Sequence, residues 1–177
     1  IFPDIIITHN IAYHYYAPFN LPQMEKLVDI AGIDLYLYPK DYKEIKRRCR
    51  YLAGTSKLAF IPEFISGVWF DNSSPPTIKE QKFVTYYALM NGIAAFNFYM
   101  IVERDRWLGC PITNTGKQRN EYVKLYDTFL KIFSQIIREA RRKIDALLIF
   151  NYEEEVKEIS QNNACFSSLE SNCFIKG

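Results

Sequence analysis

A single glutamate stands near the end of an apolar run in the middle of the chain. The run covers residues 58–64, and Glu63 is its only charged side chain. An aromatic loop with Trp69 and Phe70 follows at residues 66–71. Aromatic rings stack on the C–H faces of a sugar, while the sugar hydroxyl groups need hydrogen-bonding partners. The pattern therefore favours a sugar-cleaving enzyme in which Glu63 attacks the substrate.

Four strand-like runs alternate with helix-like stretches along the first 143 residues. We expect strands at 4–10, 33–39, 58–64 and 93–100, and helices at 21–31, 42–52, 77–91 and 121–142. Strands that are apolar on both faces, each followed by a helix, are typical of a parallel sheet in an α/β fold. When such strands and helices close into a barrel, the catalytic groups lie at the carboxyl ends of the strands, where Glu63 is predicted to be.

Further candidate residues fall at the same ends of the predicted strands. We expect a hydroxyl group from Tyr36 or Tyr38 to donate to Glu63 and keep it charged and oriented. A second set of residues is expected to contact the sugar itself. Its hydroxyls would be bound by Asn10, Asn97 and Tyr99, and its ring would stack on Trp69 and Trp107. Trp69, so close to Glu63 in sequence, is expected nearer the cleft than Trp107.

Each assignment has a structural alternative. Glu63 can instead close a salt bridge or accept hydrogen bonds at a helix cap. The three tyrosines alternate along strands, so one face of each strand is core. His9 can bind a ligand or pack in the wall, and residues 103–106 fit a solvated loop or the edge of the cleft.

Two motifs resemble the β-galactosidases of glycoside hydrolase family 35. Residues 61–64 (IPEF) and 67–71 (GVWFD) resemble the family's EF…GWFD stretch, whose glutamate is the nucleophile at the end of the seventh barrel strand. Residues 97–100 (NFYM) resemble its motif on the eighth strand. Residues 34–39 and 8–10 are similar, more loosely, to the ends of strands six and five in the related family 42.

The resemblance implies an α/β fold that is half of a (β/α)8 TIM barrel. Residues 1–143 would supply strands five to eight. The apolar run at 144–150 and the polar residues after it separately predict a fifth strand with which residues 144–177 begin a second α/β domain or form a tail. The implied activity is that of a retaining β-glycosidase, similar to β-galactosidases, that hydrolyses terminal β-linked sugars. Glu63 would be the nucleophile, with no cofactor and no metal.

The resemblance also implies that one catalytic group lies outside the chain. The acid/base of these families is the glutamate of an Asn-Glu pair on strand four, whereas Asn120 and Glu121 open the last predicted helix. We therefore expect an N-terminal half-barrel to supply it. The loop after Met100 lacks the Gly-Gly-Thr-Asn run of many family members, which leaves the sugar open.

Two other interpretations fit the same residues. The chain can be a non-catalytic carbohydrate-binding half-barrel that self-associates, because four strands leave two bare edges and an uncovered face. It can also be an unrelated α/β enzyme, although no glycine-rich phosphate loop supports nucleotide binding.

Charge and composition limit the classes of partner and ligand that we expect for the chain. The net charge of +2 provides no electrostatic footprint for nucleic acid, and the basic run 46–50 is typical of a solvated helix face or a partner contact. No apolar stretch reaches the roughly 20 residues that cross a membrane. The four cysteines form no CxxC pair, so zinc is not expected. Reduced thiols in a cytoplasmic protein are favoured, with Cys165 and Cys173 as the only close pair.

Overall fold

A computed structural model of the chain describes residues 5–12, 20–69, 74–136, 143–147, 149 and 151–154. Its elements in chain order are β1 (Thr8–Ile11), α1 (Leu21–Met24), β2 (Ile30–Ile33), a 3-10 helix (Pro39–Asp41), α2 (Tyr42–Thr55), β3 (Phe60–Ile65), β4 (Val68–Trp69), α3 (Ile78–Met90), β5 (Ala95–Tyr99), β6 (Trp107–Leu108) and α4 (Asn120–Ile136). The described part of the chain is thus a mixed α/β structure.

The parallel strands form two neighbouring two-stranded sheets, β1 with β2 and β3 with β5. The strand β1 pairs in parallel with β2, and β3 pairs in parallel with β5. A parallel bridge between Leu35 and Phe64 links β2 to β3, with the Leu35 amide donating to the Glu63 carbonyl at 2.9 Å. The carboxyl ends of these strands therefore lie on one side, which brings the residues around Glu63 together.

The helices cover one face of these strands. In α2 and α3, Leu52 and Val84 are buried in one core with Ile61 and Phe64 of β3. Helix α4 packs through Phe129 against Phe98 of β5, with ring centroids 6.0 Å apart. Because Phe64 and Phe98 point to the helices, the alternate positions on the strands are left for the opposite face.

Several element boundaries differ from those predicted. The second strand was expected at 33–39 but lies at Ile30–Ile33, and the first helix ends at Met24 instead of residue 31. Asp29 explains the early strand, because its carboxylate accepts from the Ile7 amide at 2.8 Å and its own amide donates to Ile7, which ties the start of β2 to β1. The helix α2 continues to Thr55, three residues beyond its predicted end.

An antiparallel ribbon occupies a region expected to be loop. Strand β4 pairs with β6, so that Val68 lies opposite Leu108 and Trp69 opposite Trp107. Gly67 begins the ribbon at a φ of +81°, and a Cβ there would lie 2.7 Å from both Cys110 Sγ and the Leu108 carbonyl oxygen. Only glycine fits this turn, because both the dihedral angle and the space exclude a side chain.

Some of the elements and residues predicted from the sequence lie outside the described residues. This applies to the end of the last helix at 137–142, to Phe70 and Asp71 of the aromatic motif, and to Cys165 and Cys173. In the predicted strand at 144–150, the described residues 144–147 and 149 are not in a strand. No helix among the described residues is both long enough and apolar enough to cross a membrane.

Candidate active site

The Glu63 carboxylate is held by two uncharged donors from neighbouring parts of the sheet. The Asn10 side-chain amide donates to Oε1 at 2.9 Å, and the Tyr36 hydroxyl donates to Oε2. Glu63 is half-buried and forms no salt bridge within the described ranges. Neither the salt bridge nor the helix cap considered from the sequence occurs here. The carboxylate is oriented without being neutralised.

A close approach of two strands brings Asn10 within reach of Glu63. The β3–β5 register shifts between Ile61 and Phe64, and Pro62, which has no amide proton to donate, lies in this bulge. At Gly32 a Cβ would stand 2.4 Å from Pro62 Cδ. Asn10 is paired opposite Gly32. The absent side chain at Gly32 thus allows β2 to lie against the bulge, and its partner strand carries Asn10 to the glutamate.

The Tyr36 hydroxyl is a permanent donor to Glu63. Burial is the largest cause that raises the pKa of Tyr36 above its usual range, followed by the hydrogen bond to Glu63 and the negative charges of Glu63 and Asp34. The proton therefore stays on the tyrosine throughout the physiological range. The sequence left Tyr36 and Tyr38 as alternatives for this role, and the structure has Tyr36 in it.

Asp34 is a member of the site that the sequence analysis did not single out. Its side chain is buried, with 7% of the residue exposed, and its Oδ1 has no hydrogen-bonding partner among the described residues. Burial and then the charge of Glu63 raise the pKa of Asp34 to about 7, although the Glu63 amide and the Asn10 side chain nearby lower it. The available signal was its spacing, two residues before Tyr36 in an extended segment, which turns both side chains to one face.

Four aromatic rings form a wall that is continuous with the glutamate. The Trp107 ring lies at the centre of this wall. Its centroid is 5.7 Å from that of Tyr36, 5.1 Å from that of Tyr99 and 6.2 Å from that of Trp69. Trp107 is 8% exposed and donates from Nε1 to the Ser66 carbonyl at 3.1 Å, whereas Trp69 is 42% exposed. The Trp69 ring is therefore open to solvent, and Trp107 lies buried behind it.

Ser66 joins the ends of the strands to the aromatic wall. Its hydroxyl donates to the Met100 carbonyl at 2.9 Å and accepts from the Tyr126 hydroxyl at 2.7 Å. Its backbone pairs with Tyr99 and Met100, and its carbonyl also accepts from Trp107. Nothing in the sequence marked this serine, because its partners come from three separate segments.

Other predicted site residues lie away from Glu63. The Tyr38 hydroxyl donates to the Ser74 carbonyl at 2.7 Å. Asn97 is exposed on β5 and lines a cavity of about 480 Å³ that runs between this strand, helix α4 and the loop after β5, and Glu63 is not among the residues lining it. His9 is exposed on β1. In the described part of the chain, neither Asn97 nor His9 forms a hydrogen bond or ring contact with Glu63 or Trp107.

The loop after β5 contributes one cation to the site. Arg104 donates from Nη2 to the Tyr99 hydroxyl at 2.7 Å. Its neighbour Glu103 is engaged elsewhere, since it pairs with Arg119 at 2.9 Å and accepts from the Gly109 amide at 2.6 Å. Arg104 is itself exposed, so residues 103–106 combine a solvated loop with one contact to the aromatic wall.

The described residues contain no group of three or more His, Cys, Asp or Glu side chains arranged to hold a metal ion. Comparison of the sequence with models of known protein families and with curated proteins found no match. The case for a function therefore depends on the geometry around Glu63.

Proposed function

We propose that the chain is the C-terminal half-barrel of a retaining β-glycosidase, similar to β-galactosidases, with Glu63 as its nucleophile. The observation that carries this is the environment of Glu63. Its carboxylate meets two neutral donors, Asn10 and Tyr36, and no cation within the described residues, beside a wall that ends in the exposed Trp69.

This environment suits nucleophilic attack at an anomeric carbon. The attacking carboxylate must be ionised, and the donors from Asn10 and Tyr36 stabilise that form and fix its direction. Attack would form a covalent glycosyl–enzyme bond, which water then hydrolyses. Trp69 provides a ring face for the C–H surface of a terminal β-linked sugar. Tyr99, held by Arg104, provides a hydroxyl at the same wall.

A retaining mechanism needs a second carboxyl group, which we assign to an N-terminal half-barrel. In retaining enzymes the two carboxyl groups are about 5–5.5 Å apart, and the second protonates the leaving group. Support for a partner comes from the sheet edges, because β1 and β5 have strand neighbours on one side only within the described residues. The side chains of Ile5, Ile6 and Ile7 beside β1 are 59%, 67% and 56% exposed. Bare edges and exposed apolar side chains of this kind are normally covered.

The test of the nucleophile is covalent trapping. The complete enzyme that contains this chain is treated with a 2-deoxy-2-fluoro β-glycoside carrying a dinitrophenyl leaving group, and the labelled peptide is mapped by mass spectrometry. We expect the label on Glu63. Glu63→Gln and Glu63→Ala should both lose turnover, and azide should restore it in Glu63→Ala by replacing the missing nucleophile. The matched control is Glu121→Gln, at an exposed residue in the first turn of α4. A label elsewhere together with an active Glu63→Gln enzyme overturns the proposal.

Self-association is the competing account of the bare edges. A self-paired half-barrel sediments as a stable homodimer, and no added polypeptide restores hydrolysis to it. The proposed enzyme instead gains hydrolysis when an N-terminal half carrying a glutamate after its fourth strand is supplied.

We also propose that the protein is cytoplasmic. The cysteines support this, because Cys49 and Cys110 are both buried free thiols.

A further inference from the structure

Two carboxyl groups stand on neighbouring strands in the site. A parallel bridge pairs Leu35 with Phe64, and the Leu35 amide donates to the Glu63 carbonyl at 2.9 Å. The residues that precede this pair are Asp34 and Glu63, and such neighbours on parallel strands turn to the same face. Asp34 and Glu63 therefore lie beside each other.

The position of Asp34 is unfavourable for a second negative charge. Its Oδ1 is buried and unpartnered, and Asp34 forms no ion pair in the described part of the chain. A buried carboxylate is costly unless it is paired and fully hydrogen-bonded, and a like charge a few ångströms away raises that cost. A protonated Asp34 avoids both penalties.

We propose that Asp34 is a positioning residue that holds a proton beside Glu63 and so keeps the site at a single negative charge. For its kinetic consequence this inference rests on the proposed function. Asp34 is not placed to be the general acid, because a buried oxygen cannot reach a glycosidic oxygen in the cleft. Its role is to leave the ionised state to Glu63.

The groups that face Asp34 support one titration near neutral pH. Glu63 on β3 bears the charge that acts on it, Asn10 on β1 is uncharged, and Tyr36 on the same segment stays protonated. The pKa of Asp34, raised to about 7, agrees with a proton retained at neutral pH and below. When Asp34 releases this proton to solvent, the site has two adjacent anions.

Carbon-13 NMR of aspartate carboxyl groups tests the proton directly and needs no activity. In the wild-type protein we expect one aspartate to titrate near pH 7, and its midpoint to fall in Glu63→Gln, because the neighbouring charge is gone. Asp34→Asn identifies the resonance by its disappearance. If that variant does not fold, the shift between wild type and Glu63→Gln still assigns the residue as the neighbour of Glu63. Absence of any aspartate midpoint above about 5, near the ordinary range for this side chain, overturns the inference.

A kinetic experiment tests the positioning role separately. The complete enzyme should lose kcat/KM as pH rises through about 7, and Asp34→Asn, which is uncharged at every pH, should lose this alkaline limb. An unchanged limb in Asp34→Asn overturns the inference while Glu63 labelling still stands. Conversely, an aspartate that titrates near 7 in a protein that is not labelled at Glu63 overturns the proposed function and supports the proton at Asp34.

Discussion

The Tyr36 hydroxyl donates a hydrogen bond to Oε2 of Glu63, while the Tyr36 ring lies against Trp107 with centroids 5.7 Å apart. One side chain therefore connects the carboxylate to the aromatic wall. Tyr36 lies just beyond β2, and Glu63 lies in the bulge of β3, so the contact depends on how these two strands meet. Substitutions at the carboxylate and substitutions at the strand contact should therefore have different effects on catalysis and on stability.

Removing the Tyr36 hydroxyl should weaken catalysis far more than it weakens the fold. A hydrogen bond to a charged group is worth about 1.5–3 kcal/mol, so Tyr36→Phe is expected to reduce kcat/KM by about 10- to 100-fold. The matched control is Tyr38→Phe, whose hydroxyl donates to the Ser74 carbonyl. Steady-state kinetics on the complete enzyme decides the matter, and equal losses in the two variants would contradict a special role for Tyr36.

Stability should fall as pH rises toward neutral because of Asp34. Its pKa rises from the usual 3.8 to about 7 on folding, so between these values the folded state holds a proton that the unfolded state lacks. The resulting contribution is complete below about pH 4 and is lost as pH rises through 7. At most about 4.5 kcal/mol is involved, since one pKa unit is worth about 1.4 kcal/mol.

Urea denaturation at a series of pH values measures this effect. The quantity to compare is the free energy of unfolding of wild type minus that of Asp34→Asn, which cancels the other titrating groups. Asp127→Asn, at an exposed position on α4, is the control. A difference between wild type and Asp34→Asn that stays constant from pH 4 to 8 would show that Asp34 has the same affinity for its proton in the folded and unfolded states.

The contact between β2 and β3 should not tolerate a methyl group at residue 32. In Gly32→Ala the new Cβ would lie 2.4 Å from Pro62 Cδ and 2.6 Å from the Phe60 carbonyl oxygen. Overpacking of this kind costs about 1–3 kcal/mol. Gly54→Ala is the control, because no neighbouring atom lies within 4 Å of its Cβ and alanine favours the helix α2 by about 0.5–1 kcal/mol. Thermal unfolding should move the two variants in opposite directions, and similar behaviour would contradict the close approach.

The two tryptophans should divide stability from binding. Trp107→Phe loses the hydrogen bond to the Ser66 carbonyl at a buried position, so a destabilisation of about 1–3 kcal/mol is expected. Trp69→Phe should change the stability by less than about 0.5 kcal/mol, as is usual on a surface. Because the chain has only these two tryptophans, the fluorescence of Trp107→Phe reports Trp69 alone. Quenching or enhancement on addition of a β-linked sugar should persist in that variant, and its loss there would transfer the ligand contact to Trp107.

Local patterns were enough to indicate the alternation of strands and helices and to single out Glu63 as a candidate. The apolar runs and helix-like stretches predicted β3, α2, α3 and β5 to within three residues of their positions. Such signals depend on neighbours a few residues apart. The early start of β2 was missed because Asp29 pairs with Ile7, twenty-two residues away.

The composition of the site was decided by contacts between distant segments. Asn10 reaches Glu63 across 53 residues, and only because Gly32 lets one strand lie against the bulge at Pro62. The same packing selected Tyr36 over Tyr38, buried Trp107 behind Trp69, and put Asp34 beside a second carboxylate. A sequence specifies which side chains are available at the strand ends, but which of them meet is set by register and by the space between strands, and these exist only once the sheet has formed.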